Sequence, residues 1–86
     1  MKIKFPVLVR YPKQLDTLFK YLDSKGLRWR NRSRLVDDKM TMNTPVWIFY
    51  DEIGISYYDI DPTNEDEFDI NYVSYCCCYR PREVEI

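Results

Sequence analysis

The chain has 86 residues, enough for one small domain (residues 1–86) and too few for two. Hydrophobic residues make up 45 % of it and charged residues 31 %, with 8 Tyr, 4 Phe and 2 Trp against 2 Gly, which excludes disorder and low-complexity sequence. The net charge is −1, and neither a signal peptide nor an apolar run of ~20 residues is present, so we expect a soluble cytoplasmic protein without a membrane partner.

The first elements are predicted to be a strand and a helix. Residues 3–9 are rich in β-branched residues, and Pro6, which cannot donate to a ladder, indicates an edge or a bulge. Pro12 suits a first helical position, and Gly26 suits a left-handed C-terminal cap. Between them a single apolar stripe predicts an amphipathic helix over residues 12–25, with the stripe formed by Leu15, Leu18, Phe19 and Leu22.

The rest of the chain is predicted to be mostly strands. Residues 27–30 alternate apolar and basic side chains, with Leu27 and Trp29 inward, and residues 31–44 form a polar connection anchored by Leu35 and Met40. The following segments are a strand apolar on both faces (45–50), a hairpin turn (51–54), a returning strand (55–60), an acidic loop (61–67) and a last strand (69–79) ended by residues 80–82.

These elements predict an α+β fold in the order β-α-β-β-β-β, with one helix packed on a mainly antiparallel sheet of four or five strands. A single helix covers one face of the sheet only. The other face would be sheltered by residues 31–44 or by another chain, so we expect a homodimer or a protein-binding face.

Three consecutive cysteines, Cys76, Cys77 and Cys78, have no partner cysteine elsewhere, which argues against a disulfide framework. The chain also lacks His, so a zinc site within one chain is not expected. In a strand these side chains would alternate between faces. The simplest interpretation is small, reduced and buried side chains, and a reactive thiol or a redox-sensitive contact between two chains is the alternative.

Charge divides the chain into a basic and an acidic half. Residues 1–39 carry eleven Lys or Arg and four Asp or Glu, whereas residues 40–86 carry two and ten. If the halves lie on different surfaces, the molecule is a strong dipole that steers toward a charged partner. The alternative is that the halves pair within the fold and largely cancel.

The order of these elements has a parallel among phage proteins. The chain resembles small uncharacterised accessory proteins of phages and prophages of Gram-positive bacteria in Pro12, in the helix end Tyr21-Leu22-Asp23-Ser24-Lys25-Gly26, in Leu27-Arg28-Trp29, and in the strands Trp47-Ile48-Phe49 and Ile55-Ser56-Tyr57-Tyr58. The resemblance covers most of the chain. It implies a phage-encoded product that binds and disables a host enzyme or defence system, and it implies no catalytic residues.

A basic cluster is the first candidate site. It consists of Arg28, Trp29, Arg30, Arg32 and Arg34. Guanidinium groups suit phosphates and carboxylates, and a tryptophan can stack on a base, which indicates a nucleotide or nucleic acid. Two alternatives stand beside it: a protein partner, and a solvated loop whose arginines pair with the acids of residues 59–69.

An acidic cluster is the second candidate. It consists of Tyr58, Asp59, Asp61, Glu65, Asp66, Glu67 and Asp69. Acids among aromatics can imitate nucleic acid and occupy a basic groove of a nuclease or polymerase, although any solvated loop has a similar composition.

The sequence therefore predicts a non-enzymatic binding protein without cofactor or metal, which inhibits a host enzyme or an antiviral defence system, such as an anti-CRISPR protein, by occupying a functional surface of that host protein. The alternative is a nucleotide- or nucleic-acid-binding protein, in one form a dimer that sequesters a nucleotide signal on its arginines.

Overall fold

The computed structural model describes residues 1–36 and 43–86. Its elements are β1 (Lys2–Phe5), β2 (Val7–Val9), α1 (Pro12–Ser24), β3 (Val46–Tyr50), β4 (Ile55–Asp59), a 3-10 turn (Glu65–Phe68), α2 (Ile70–Cys76) and β5 (Arg82–Glu85). All the strand pairs are antiparallel, and α1 packs on a sheet. The predicted α+β class is confirmed.

Two sheets replace the one predicted sheet. Strands β2, β3 and β4 form a three-stranded sheet with β3 in the centre, and β1 pairs separately with β5. Pro6 lies between β1 and β2, and because it has no N–H group it interrupts the ladder there. In the β1–β5 pair, Lys2 lies opposite Glu85 and Lys4 opposite Glu83.

Helix α1 forms as predicted, with Pro12 in its first turn and Leu15, Phe19 and Leu22 buried. It ends where Gly26 adopts a φ of 86° and donates its N–H to the carbonyl of Asp23. Since a φ in this region favours glycine, the cap explains the position of the helix end.

Strand β3 is buried on both faces, as its apolar sequence predicts, and it separates two cores. Val46 and Ile48 face α1, in a core that also holds Trp29. Trp47 and Phe49 face the other way and pack with Val73 of α2. The second face of the sheet is therefore covered by α2 of the same chain. Trp47 and Phe49 are thus sheltered without residues 31–44 or another chain, and the expected homodimer or protein-binding face stays a prediction.

The predicted hairpin between β3 and β4 is confirmed, and Gly54 in its turn has a steric role. A Cβ atom on Gly54 would lie 2.8 Å from the carbonyl oxygen of Arg28 and 2.9 Å from the carbonyl carbon of Trp29. The residue after it, Ile55, donates its N–H to that Arg28 carbonyl at 2.9 Å. Glycine at position 54 thus allows the backbone of Arg28 and Trp29, at the start of the basic cluster, to lie against β4.

The predicted last strand over residues 69–79 is wrong, because most of this segment is helix α2. The Asp69 carboxylate accepts the N–H of Asn71 at 2.8 Å and caps the helix, and Val73 anchors it on the core. The prediction of buried cysteines is also wrong, because Cys76, Cys77 and Cys78 are all exposed at the end of α2.

The connections and the end of the chain differ from the prediction in two smaller ways. Residues 27–30 make isolated bridges at Arg28 and Trp29 instead of a strand, and Leu27 and Trp29 nevertheless point inward as predicted. Residues 82–85 form β5, which the sequence did not predict. Leu35 is buried as an anchor, whereas Met40 lies outside the described residues.

Candidate functional site

The acidic cluster begins in two tight turns after β4. The Asp61 carboxylate accepts the N–H of Thr63 at 3.0 Å and its hydroxyl at 2.7 Å, and these two bonds lower the pKa of Asp61. Asn64 then caps the 3-10 turn by accepting the N–H of Asp66 at 3.1 Å. Asp69, the cap of α2, follows. The local chemistry of Asp, Asn and Thr therefore gives this acidic segment a defined backbone.

Glu67 differs from its acidic neighbours because it points inward and is only 7 % exposed. One carboxylate oxygen accepts the Tyr58 hydroxyl at 2.5 Å, and the other accepts the N–H of Asp61 at 3.1 Å. Its carbonyl accepts the indole N–H of Trp47 at 2.7 Å. Of the predicted cluster, Glu67 and Tyr58 thus hold the acidic turn on the sheet, while Asp59, Asp61, Glu65, Asp66 and Asp69 remain exposed.

Two tyrosines of α2 extend the exposed acids into a mixed surface. Tyr75 is 85 % exposed and Tyr72 is 42 % exposed. The Cys76 thiol, partial burial and the carboxylates of Asp66 and Glu67 all raise the pKa of Tyr72, so its hydroxyl lies within electrostatic reach of the acidic turn. Here the name acidic tyrosine patch denotes Glu65, Asp66, Asp69, Tyr72 and Tyr75.

The exposed acids of this patch form no ion pair with another described residue. The sequence contains no Lys or Arg between Asp51 and Tyr79. Among residues 1–36 and 43–86, no ion pair involves Asp59, Asp61, Glu65, Asp66 or Asp69. Arg10 does lie over the ring of Phe68, at 5.1 Å from its centroid. On this side of the molecule the described acids therefore do not pair with the basic half, which agrees with the first of the two interpretations of the charge pattern.

The arginines of the basic cluster are mostly engaged with other carboxylates. Arg34 and Arg28 both contact Asp23, at 2.7 and 3.7 Å, and Arg30 binds Asp51. The hydrogen bond from Arg34 lowers the pKa of Asp23, partial burial opposes it, and the charges of Arg34 and Arg28 lower it further. These are not the acids of residues 59–69 that the sequence suggested as partners.

The two remaining members of the basic cluster differ in exposure, because Arg32 lies at the surface and Trp29 is buried. Arg32 is exposed, with a φ of 75°, and its side chain has no partner within the described part of the chain. Trp29 is 6 % exposed and lies edge-on between the rings of Phe19 and Tyr57. The Trp29 ring is thus part of the core, and the structure presents no face of it to a base.

The three cysteines and Arg82 belong to neither of the two sites predicted from the sequence. Burial, then the neighbouring Cys76 and Cys78, raise the pKa of the Cys77 thiol, which disfavours its thiolate. Arg82 binds Glu52 and the carbonyl of Tyr50, close to the ion pair of Arg30. Only the tertiary fold brings these groups together, and no spacing in the sequence signals it.

Within the described residues, no cluster of His, Cys, Asp or Glu has the arrangement of a metal site. The same residues contain no helix long and apolar enough to cross a membrane. Comparison of the chain with models of protein families, with curated proteins and with solved structures finds no match.

Proposed function

We propose that the protein is a non-enzymatic binding protein that attaches to a basic protein surface through its acidic tyrosine patch. The observation that carries this proposal is Tyr75, 85 % exposed on a helix whose first turn adjoins unbalanced carboxylates. Tyrosine supplies a large contact area at little entropic cost and is enriched at the energetic centres of interfaces. The acids around it would steer and orient a basic partner.

The chemistry of the patch favours a partner that handles nucleic acid. Carboxylates spaced among aromatic rings present the same two features, negative charge and flat rings, that a basic groove recognises in DNA or RNA. Together with the resemblance to phage accessory proteins, this supports a phage-encoded inhibitor of a host enzyme or antiviral defence system, such as an anti-CRISPR protein, that acts in the host cytoplasm. The proposal needs no catalytic group and no cofactor.

The experiment compares matched tyrosine variants in a pull-down from nuclease-treated host lysate, followed by binding measurements with the purified partner. Tyr75→Ala removes the most exposed ring of the patch, and Tyr11→Ala removes an equally large, 62 % exposed ring outside it. We expect wild type and Tyr11→Ala to retain the same partner. Tyr75→Ala should raise the dissociation constant for that partner about tenfold or more.

Salt provides the second measurement. Because exposed charges are screened within roughly 10 Å at 0.1 M salt, the association rate should fall as salt rises, and Glu65→Lys should lower it further. Equal binding by Tyr75→Ala and wild type would reject the patch as the interface. A partner recovered from untreated lysate but not from nuclease-treated lysate would reject the protein partner and favour nucleic acid.

A further inference from the structure

A cleft opens on another part of the surface, where the β3–β4 hairpin, the end of α2 and the segment before β5 meet. An outer cavity of about 270 Å³ is lined by Asp51, Cys78, Tyr79, Arg80 and Arg82. An inner cavity of about 180 Å³ is lined by residues that include Arg30, Tyr57, Tyr58 and Cys77 together with Asp51 and Tyr79. Because both cavities share Asp51 and Tyr79, they adjoin.

Three guanidinium groups line this cleft, although they come from separate parts of the sequence. Arg30 is bound to Asp51. Arg82 donates to Glu52 at 3.1 Å and to the Tyr50 carbonyl at 2.9 Å, while its Nε is buried without a hydrogen-bond partner among the described residues. For Arg80, the part of the chain that the structure describes offers no hydrogen bond and no ion pair.

The arginines of the cleft outnumber the acids that pair with them. Asp51 and Glu52 each pair with one arginine, so the third guanidinium, Arg80, has no acid paired with it among the described residues. A guanidinium has five N–H donors in a planar fork that matches phosphate oxygens. A phosphate at the mouth of the outer cavity would give Arg80 a partner and take up the outward donors of its neighbours.

The inner cavity suits a flat ring. Tyr58 and Tyr79 line it from the face of the sheet that α2 covers, whereas the Tyr57 ring packs against Trp29 on the other face. The Tyr79 ring is held in place by the hydrogen bond from its hydroxyl to the Tyr50 carbonyl at 2.6 Å. Binding pockets for small molecules usually exceed about 300 Å³, a size that the two cavities reach only together. A ligand that fills both must therefore carry an anionic end and an aromatic end.

We propose that this cleft binds a mononucleotide, with its phosphate at Arg80 and its base among the inner tyrosines. This site is distinct from the acidic tyrosine patch and does not depend on the proposed protein partner. It also differs from the basic cluster predicted from the sequence, because it uses Arg30 but neither Arg32 nor the buried Trp29.

Calorimetric titration with ADP, adenosine and inorganic phosphate tests the proposal. We expect ADP to bind about tenfold or more tightly than either fragment, because only ADP engages both cavities. Arg80→Ala should weaken ADP binding about tenfold, the value expected when a charged hydrogen bond is lost. Arg32→Ala removes an equally exposed arginine outside the cleft and should leave ADP affinity within about twofold of the wild-type affinity.

The three adjacent cysteines provide an independent measurement. Cys77 and Cys78 line the cleft and Cys76 lines neither cavity, yet all three are exposed. Saturating ADP should slow alkylation of Cys77 and Cys78 by iodoacetamide and leave Cys76 unchanged. Absence of ADP binding at millimolar concentration, equal binding of ADP and phosphate, or equal losses in Arg80→Ala and Arg32→Ala would each overturn the proposal.

Discussion

At the scale of single residues, Glu67 shows how one acid in a charged run acquires a role that its neighbours lack. Composition cannot distinguish it from Glu65 or Asp66, because all three lie in the same acidic turn. Only Glu67 faces the sheet, where its carboxylate binds the Tyr58 hydroxyl and the N–H of Asp61. The role of Glu67 depends on the path of the backbone through residues 61–69, and only the folded structure shows that path.

The hydrogen bond between Tyr58 and Glu67 predicts how stability changes in alkaline solution. That bond, partial burial and the negative charge of Glu67 raise the pKa of Tyr58 to about 12, from 10.0. Folded protein therefore keeps a proton that the unfolded chain has lost, so the contribution of Tyr58 is complete below pH 10 and disappears as the pH rises toward 12.

Chemical denaturation of wild type and Tyr58→Phe over this pH range measures the effect. The variant cannot ionise at position 58, and it retains the other tyrosines. We expect the stability of wild type relative to Tyr58→Phe to decline between pH 10 and 12. A constant difference over that range would show that the hydrogen bond does not hold the Tyr58 proton.

At the scale of elements, the sequence predicts segments whose patterns are long or sharply bounded. Helix α1 has four apolar positions on one stripe, a proline at its start and a glycine after its end, and each signal agrees with the others. Strand β3 is apolar throughout because both of its faces are covered. The glycine of the hairpin turn is likewise a local signal.

Helix α2 was missed because its seven residues make only two turns, too few for helical periodicity to differ from strand alternation. Val73, Tyr72 and Tyr75 also belong to residue types that favour strands. The signal that was available is Asp69, a good N-cap residue at the helix boundary. The exposed tyrosines of the patch were missed for the same reason.

This account predicts that α2 depends on its cap. Asp69→Ala removes the acceptor of the Asn71 N–H, and we expect a loss of about 1 kcal/mol in the free energy of unfolding, measured by urea denaturation. Asp69→Asn should retain most of that free energy because an amide oxygen can accept the same bond. Asp66→Ala, an exposed acid without a capping role, is the control and should change stability by less than about 0.5 kcal/mol. Equal values for the Asp69→Ala and Asp66→Ala variants would show that the cap contributes nothing.

At the scale of the whole molecule, the basic and acidic halves meet in some places and not in others. Arg30 pairs with Asp51, and the β1–β5 register brings Lys2 and Lys4 opposite Glu85 and Glu83. The exposed acids of the patch have no such partner among the described residues. Pairing within the fold therefore accounts for part of the charge pattern, and steering toward a charged partner stays a prediction for the exposed acids.

The register of the β1–β5 pair can be tested by exchanging charges. Lys4→Glu places two acids directly opposite each other, and we expect thermal denaturation to show a loss of about 0.2–1 kcal/mol. Adding Glu83→Lys restores opposite charges and should recover most of the loss. Lys13→Glu on α1 changes charge by the same amount, away from this pair and at a side chain without an ion pair among the described residues, and is the control for net charge. No recovery in the double variant would contradict the register.

The same strand pair has a consequence for how the chain reaches its fold. Helix α1 and the β3–β4 hairpin join residues close in sequence, whereas β1 pairs with residues 82–85, and the entropy lost on closing so long a loop slows that step. Lys2–Phe5 therefore leave the ribosome long before their partner strand exists. A strand that is synthesised well before its partner is thus among the last to be held in place.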